Sequence, residues 1–226
     1  MKQIRMTVIG LTAAALLAGA SPVAGAAEGA APVSVPAAAD SSGTALAARG
    51  EMKVLKWMSY SRSKKHPMPL RLGTYKRNSR GKMVGHGWTK IKKRHNIQKY
   101  GIVAWLAKSP RVKHVRGKRY NLTGWAHRIS CKSGGCKVVS RIPMLLATDE
   151  TWINTGGHPS RDSYYGAVTA YCNYGNKNKL KCPTWVNTKF KPKASLQTLN
   201  ARGGGERYAF TYKPLKSVKG TLVTAS

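Results

Sequence analysis

The chain has 226 residues, with 40 Lys and Arg against 7 Asp and Glu, a formal net charge of +33. So few carboxylates all but exclude an EF-hand or a two-metal carboxylate cluster, and most of the cations must face water, one another or an external polyanion. The 42% hydrophobic fraction and 6 Trp exclude full disorder, and the length fits one domain with tails.

Lys2 and Arg5 open the chain and a small apolar run, MTVIGLTAAALLAGA, follows over residues 6–20. Two A-x-A sites come next, Ala18-Gly19-Ala20 and Ala24-Gly25-Ala26. This is the pattern of a cleavable secretory signal peptide over residues 1–26. The apolar run is shorter than the roughly 20 residues that span a bilayer. No later stretch could cross either, so a secreted, extracellular protein without a transmembrane segment is expected. Residues 27–50 read as an Ala/Pro-rich linker or pro-segment. Lys2 and Arg5 leave with the signal. Beyond residue 48 lie 38 of the 40 basic groups and all but Glu28 and Asp40 of the seven acids, so that span is itself +33.

A basic α+β domain is expected over 51–190. Residues 51–60 alternate poorly and suit a short strand or helix. Residues 61–69 are basic and end in prolines, which predicts a loop. Leu70-Arg71-Leu72 is a short strand candidate, and the Gly-, Arg- and Lys-rich residues 76–87 read as another loop. Residues 88–95, WTKIKKRH, carry the helical period. Trp88, Ile91 and His95 fall at i, i+3 and i+7, which sets His95 on the apolar face. A second helix is expected over 98–108, with Ile102, Val103, Trp105 and Leu106 buried and Pro110 as its stop.

The pattern then changes to strands. Residues 119–130 alternate, with Leu122, Gly124, Ala126 and Arg128 on one side and Trp125, His127 and Ile129 on the other. Residues 137–148 form the returning strand of a hairpin, and 163–174, SYYGAVTAYCNY, a third strand. Residues 149–162 read as a loop. Pro183 suits the first turn of a short helix. Residues 191–226 read as a C-terminal extension, either flexible or adding a strand over 207–213. The predicted architecture is α+β: N-terminal helices packed on a three- to four-stranded antiparallel meander.

Four cysteines remain, an even count that in an exported chain reads as two disulfides. Three connectivities are possible. The spacing favours Cys131–Cys136 and Cys172–Cys182, each closing a turn-like insert. The rival is a Cys₄ zinc site, whose usual knuckles are C-x₂-C rather than these longer spacings.

Three basic clusters stand out: Lys64 and Lys65; Lys90, Lys92, Lys93 and Arg94; and Arg111, Lys113, Arg116, Lys118 and Arg119. Aromatic residues are interleaved with them. Cations neutralise phosphates and aromatic faces stack on bases, so the expected partner is a polyanion, RNA or DNA first, with wall polymer or an anionic membrane surface as alternatives. Six histidines add chemistry: His66, His86, His95, His114, His127 and His158. Cleaving RNA at its 2′-hydroxyl needs a base, an acid and a cation for the phosphate. With so few acids, a scheme without metal or cofactor, built on His with Lys or Arg, is the economical one. His95, His127 and His86 are the candidate acid–base residues, and Arg94 or Lys92 would stabilise charge on phosphorus. No P-loop, G-x-G-x-x-G or G-x-S-x-G is present.

Residues 69–97, PLRLGTYKRNSRGKMVGHGWTKIKKRHNI, and 166–187, GAVTAYCNYGNKNKLKCPTWVN, resemble small secreted actinobacterial proteins with a GxGWxxIxxxHN…VTAYC…CPxWVN pattern. That resemblance carries no activity with it. The Gly85, Gly87, Trp88, Ile91 and His95 element also resembles the helix of the barnase–EndoU–colicin–RelE class of metal-independent ribonucleases. It implies a helical segment packed on an antiparallel sheet, with the helix histidine in the site. His127, Thr169 and Tyr171 are strand candidates from alternation alone. Two functions follow as expectations: a ribonuclease-like nucleic-acid binder, or a non-catalytic cationic protein of antimicrobial or cell-envelope type.

Overall fold

Two β-hairpins open the body, over stretches the sequence reads as a short strand or helix (51–60), a short strand (70–72) and loops (61–69 and 76–87). β1 (Val54–Tyr60) pairs with β2 (Ser63–Arg71), and β3 (Thr74–Arg77) with β4 (Met83–His86). The computed structural model describes residues 50–153, 163–175, 180–192, 199–200 and 203–225, which lie in one compact unit. The expected signal peptide and nearly all of the linker lie outside the described residues.

The stretch 61–69 is a turn and most of β2, not a loop. Its prolines are tolerated because β2 ladders only with β1, leaving one edge that needs no N–H donors. Burial of Met68, Leu70 and Arg71 drives the strand. The stretch 76–87 is likewise the β3–β4 hairpin. At its turn Asn78 Oδ1 accepts the amides of Arg80 and Lys82 at 3.1 and 2.9 Å. These four strands precede the helices, so the helices are not the start of the body.

Helix α1 (Gly87–His95) buries Gly87, Trp88, Ile91 and His95, the face expected from the period. Gly87 sits at φ 68, and a Cβ there would lie 2.7 Å from the Arg71 oxygen, so only glycine permits this entry into the helix. Asn96 closes the helix at φ 55, with its amide bonded to the Lys92 oxygen and the Ile97 amide to that of Ile91. Lys92, Lys93 and Arg94 occupy the last turn, where the helix dipole favours cations. Helix α2 (Tyr100–Ala107) buries Ile102, Val103, Trp105, Leu106 and Ala107 and ends before Pro110.

The main sheet is antiparallel. β5 (Val112–Arg116), β6 (Arg119–Lys132), β7 (Gly135–Ile153) and β8 (Ser163–Cys172) lie in chain order, and β9 (Gly205–Thr211) adds a fifth strand on β6. β5 ladders with the start of β6 and β9 with its end. β7 runs on to Ile153, so residues 149–153 are strand rather than the expected loop, and the rest of that stretch, 154–162, lies outside the described residues. The C-terminal extension supplies β9 and a hairpin of β10 (Leu215–Val218) and β11 (Thr221–Thr224). A short helix α3 (Thr184–Thr188) follows Pro183.

Alternation along β6 builds two cores on opposite faces of one sheet. Leu122 and Ala126 join Ile142, Met144, Leu146, Ala170 and Phe210 in the main core, together with residues of β1, β2 and both longer helices. Ile129 and Cys131 join Cys136, Ala209, Leu215 and Leu222 in a second, smaller core. Gly124 lets Trp105 lie on the main-core face, since a Cβ there would meet the indole at 2.3 Å. Trp105 stacks on Tyr212 at 5.2 Å and meets Phe190 and Phe210 edge on.

The disulfides are Cys131–Cys136 and Cys172–Cys182, with no free cysteine, which removes the zinc alternative. Among the described residues, no helix is long and apolar enough to cross a membrane.

Candidate functional site

The two sequence motifs meet in one seam at the end of α1. Cys182 N–H donates to the His95 oxygen at 2.8 Å. Asn96 Nδ2 donates to the Cys182 oxygen at 2.9 Å, and Asn187 Nδ2 to the Asn96 oxygen at 2.7 Å. Asn187 Oδ1 accepts the Gln98 amide at 2.8 Å. The His95 ring closes the seam, with Nδ1 3.2 Å from the Leu180 oxygen. A carbonyl only accepts, so the neutral ring carries its proton on Nδ1 and presents its lone pair on Nε2.

His95 is 2% exposed. Burial first, then the Arg94 and Lys90 charges, hold it at about 4, against the bond to Leu180. It is neutral at physiological pH. Its Nε2 is buried and finds no partner among the described residues. The ring lies 5.4 Å from that of Tyr171 on β8. At the other end of α1, the His86 ring lies 5.1 Å from Tyr165 of the same strand. Helix and strand therefore run side by side in the same direction, joined by two histidine–tyrosine contacts. Between the histidines in sequence lies Lys90, half-buried, which burial and then the Arg94 charge hold below the ordinary lysine value. Between the tyrosines lies Thr169. Thr169 Oγ1 and His86 Nε2 are also buried without a partner among the described residues. Burial holds His86 below its ordinary value, with Lys90 and Arg71 acting the same way against Glu51. Arg94 is exposed.

His127 does not join this seam. It faces the second core's side of the sheet and is fully buried. Its Nε2 lies 3.0 Å from Thr211 Oγ1, which itself donates to the Lys213 oxygen. The ring is therefore the donor at Nε2, and the lone pair is on Nδ1. Burial, then Arg141, holds it at about 4. Tyr171 opposes Leu145, and Leu145 opposes Thr123, four residues from His127. Two strand spacings and four residues put Tyr171 and His127 about 16 Å apart, too far to share one phosphate.

The basic clusters are arranged differently from their order in the chain. The turn between β1 and β2 places Arg62 on Glu150 at 2.7 Å and over the Tyr120 ring at 3.5 Å. Glu150 N–H donates to the Lys118 oxygen at 2.8 Å. Tyr60 Oη donates to the same carboxylate at 2.7 Å. Lys64 and Lys65 of β2 are thereby brought to the end of the sheet that carries the β5–β6 hairpin. Lys92, Lys93 and Arg94 remain apart from this end, on α1.

Each carboxylate among the described residues already has a cation. Glu51 pairs with Lys76, Asp149 with Arg119, Glu150 with Arg62 and Glu206 with Arg128. Lys64, Lys65, Lys92, Lys93, Arg94, Arg111, Lys113, Arg116 and Lys118 are exposed and have no acidic partner among the described residues. Arg119 is exposed too, but shared with Asp149.

Two features were not legible in the chain. Arg71 is a buried cation with no acidic partner among the described residues. It donates to the oxygens of Met52, Tyr164 and Tyr165 and to Ser163 Oγ, fastening β2 to β8. His66, Trp152 and Tyr164 form an aromatic group beside Lys64 and Lys65. No family model matches the chain, and no curated protein and no solved structure shows significant similarity to it.

Proposed function

We propose that this is an exported polyanion-binding protein whose natural partner is nucleic acid. The observation that carries the reading is the charge arrangement. The four described carboxylates are each taken by one cation, and nine exposed lysines and arginines of the three basic clusters have no acidic partner among the described residues. Such a surface repels itself, and a phosphate chain that releases its counterions relieves the repulsion. Wall polymer and anionic membrane would satisfy the same charge, so the test compares them. Purified protein is titrated with RNA, DNA, teichoic acid and anionic vesicles at matched phosphate. Tightest binding to RNA or DNA supports the reading; tighter binding to wall polymer or vesicles overturns it in favour of a cell-envelope role.

A second reading, a metal-independent ribonuclease, is favoured by one observation. His95 is neutral, its tautomer is set by the Leu180 carbonyl, and its lone pair lies beside Lys90 and Tyr171 on the α1–β8 seam. It would serve as general base, with Arg94 or Lys90 answering the charge on phosphorus. Nε2 is shut off from solvent, so substrate would have to open the contact with Tyr171. RNA incubated with protein and chelator tests it: cleavage lost in His95→Ala supports this role, and no cleavage, or equal cleavage by the variant, removes it.

A further inference from the structure

His66 of β2, Trp152 of β7 and Tyr164 of β8 come together from three strands. The His66 and Trp152 centroids are 5.7 Å apart at 82°, His66 and Tyr164 5.8 Å at 72°, and Trp152 and Tyr164 5.7 Å at 86°. Each ring thus offers its edge to another, the favoured geometry for aromatic pairs, and the three hold one another in place. Trp152 and Tyr164 are direct cross-strand partners, so they stand on one face of the β7–β8 ladder. Tyr164 leans on the main core, whereas Trp152 is 49% exposed and His66 is exposed. Neither belongs to a core cluster among the described residues.

Cations adjoin this group along the chain. Lys64 and Lys65 immediately precede His66 in the same exposed stretch of β2. Glu150, two residues before Trp152, holds Arg62 and meets the Lys118 oxygen. An exposed indole braced by two rings, beside lysines with no acidic partner among the described residues, is what an unpaired nucleobase next to its phosphates requires. The base stacks on the ring while the lysines take the backbone. A duplex keeps its base faces stacked inside, and teichoic acid, polyphosphate and lipid headgroups have no aromatic face to offer.

We infer that the His66–Trp152–Tyr164 group is a stacking platform for bases of single-stranded nucleic acid, with Lys64 and Lys65 holding the adjoining phosphates. This inference rests on the polyanion-binding reading and names its substrate class. Three ligands of equal charge separate the two: a short oligothymidylate, the base-free abasic oligomer of the same length, and inorganic polyphosphate. Wild type should bind oligothymidylate roughly tenfold more tightly than the abasic oligomer, the size expected for one or two stacked bases. Trp152→Ala should abolish that preference and leave polyphosphate binding unchanged, while Trp152→Phe keeps part of it. Lys64→Ala with Lys65→Ala should weaken all three ligands alike. Trp152 is on the surface, and an unaltered thermal melt of each variant confirms that it folds. Equal affinity for the oligothymidylate and abasic oligomers, or a preference that survives Trp152→Ala, overturns the platform while leaving polyanion binding standing. Failure to bind any of the three ligands overturns both.

Discussion

His95 Nδ1 lies 3.2 Å from the main-chain oxygen of Leu180, two residues before the half-cystine Cys182. Cys182 is bonded to Cys172 at the end of β8, so a disulfide on the sheet decides which nitrogen of a helix histidine carries the proton. The same loop accepts Asn96 Nδ2 and donates to the His95 oxygen. The disulfide is therefore the anchor of the α1 C-terminus.

Removing this anchor should loosen a defined region. Cys172→Ser with Cys182→Ser is expected to cost about 2–3 kcal/mol, given the short loop closed. Hydrogen exchange should quicken at the amides of Asn96, Ile97 and Cys182 more than in β6 or β7. Denaturant unfolding with amide exchange by mass spectrometry checks both, and uniform loosening of the sheet would contradict the anchor role.

Asn187 is the other clasp of the seam. Asn187→Ala leaves the Gln98 amide and the Asn96 oxygen without their partner. A buried polar group stripped of its bond costs about 1–3 kcal/mol. Asn187→Asp keeps the acceptor for Gln98 but loses the donor for Asn96, and should fall between. Urea midpoints of the three proteins test the order.

Stability should fall with acid in a window set by two histidines. His95 and His127 are each held at about 4 by burial, against the ordinary 6.5 that applies once the chain unfolds. The folded value is the lower one, so between pH 6.5 and 4 the unfolded chain binds protons that the folded chain refuses. The stabilisation is complete above 6.5 and is lost as pH falls toward 4, by on the order of 3 kcal/mol for each ring. Unfolding free energies at pH 7.5, 5.5 and 4.5 should show the slope, and His95→Gln should remove about half of it. A flat profile would contradict neutral burial.

Arg71 should tolerate little change. It is 2% exposed, and its guanidinium serves four oxygens. Arg71→Met leaves buried oxygens short of a donor, with an expected cost of about 1–3 kcal/mol. Arg71→Lys should recover only part, because an ammonium cannot reach a fork of acceptors as a planar group does. Thermal melts of both variants check this.

Legibility in the sequence followed the range of the interaction. The period of Trp88, Ile91 and His95 exposed α1, and alternation with the cysteine spacing exposed the β6–β7 hairpin and both disulfides. The β1–β2 hairpin stayed hidden because Lys64, Lys65, His66 and Pro67 show no apolar alternation. Its driving burial is at Met68, Leu70 and Arg71, and the last of these is a cation held by carbonyls about ninety residues away. The candidate site divides in the same way. His95 was legible from the period of α1 and His86 only from its residue type, with Thr169 and Tyr171 from alternation along β8. The separation of His127 needed the strand register. Trp152, His66 and Tyr164 are brought together only by tertiary structure, and no local period marks them.

The salt dependence of nucleic-acid binding tests the central claim most directly. Affinity for single-stranded RNA and DNA is measured across a salt series, with wild type and with Lys64, Lys65, Lys113 and Lys118 changed to Ala. If the exposed cations hold phosphates, the association constant falls by about 10³-fold or more between roughly 50 and 200 mM salt, as six or more phosphate contacts require. The variant should bind more weakly and show a shallower slope. An affinity that hardly changes across the series, or a slope unaltered in the variant, would contradict the account.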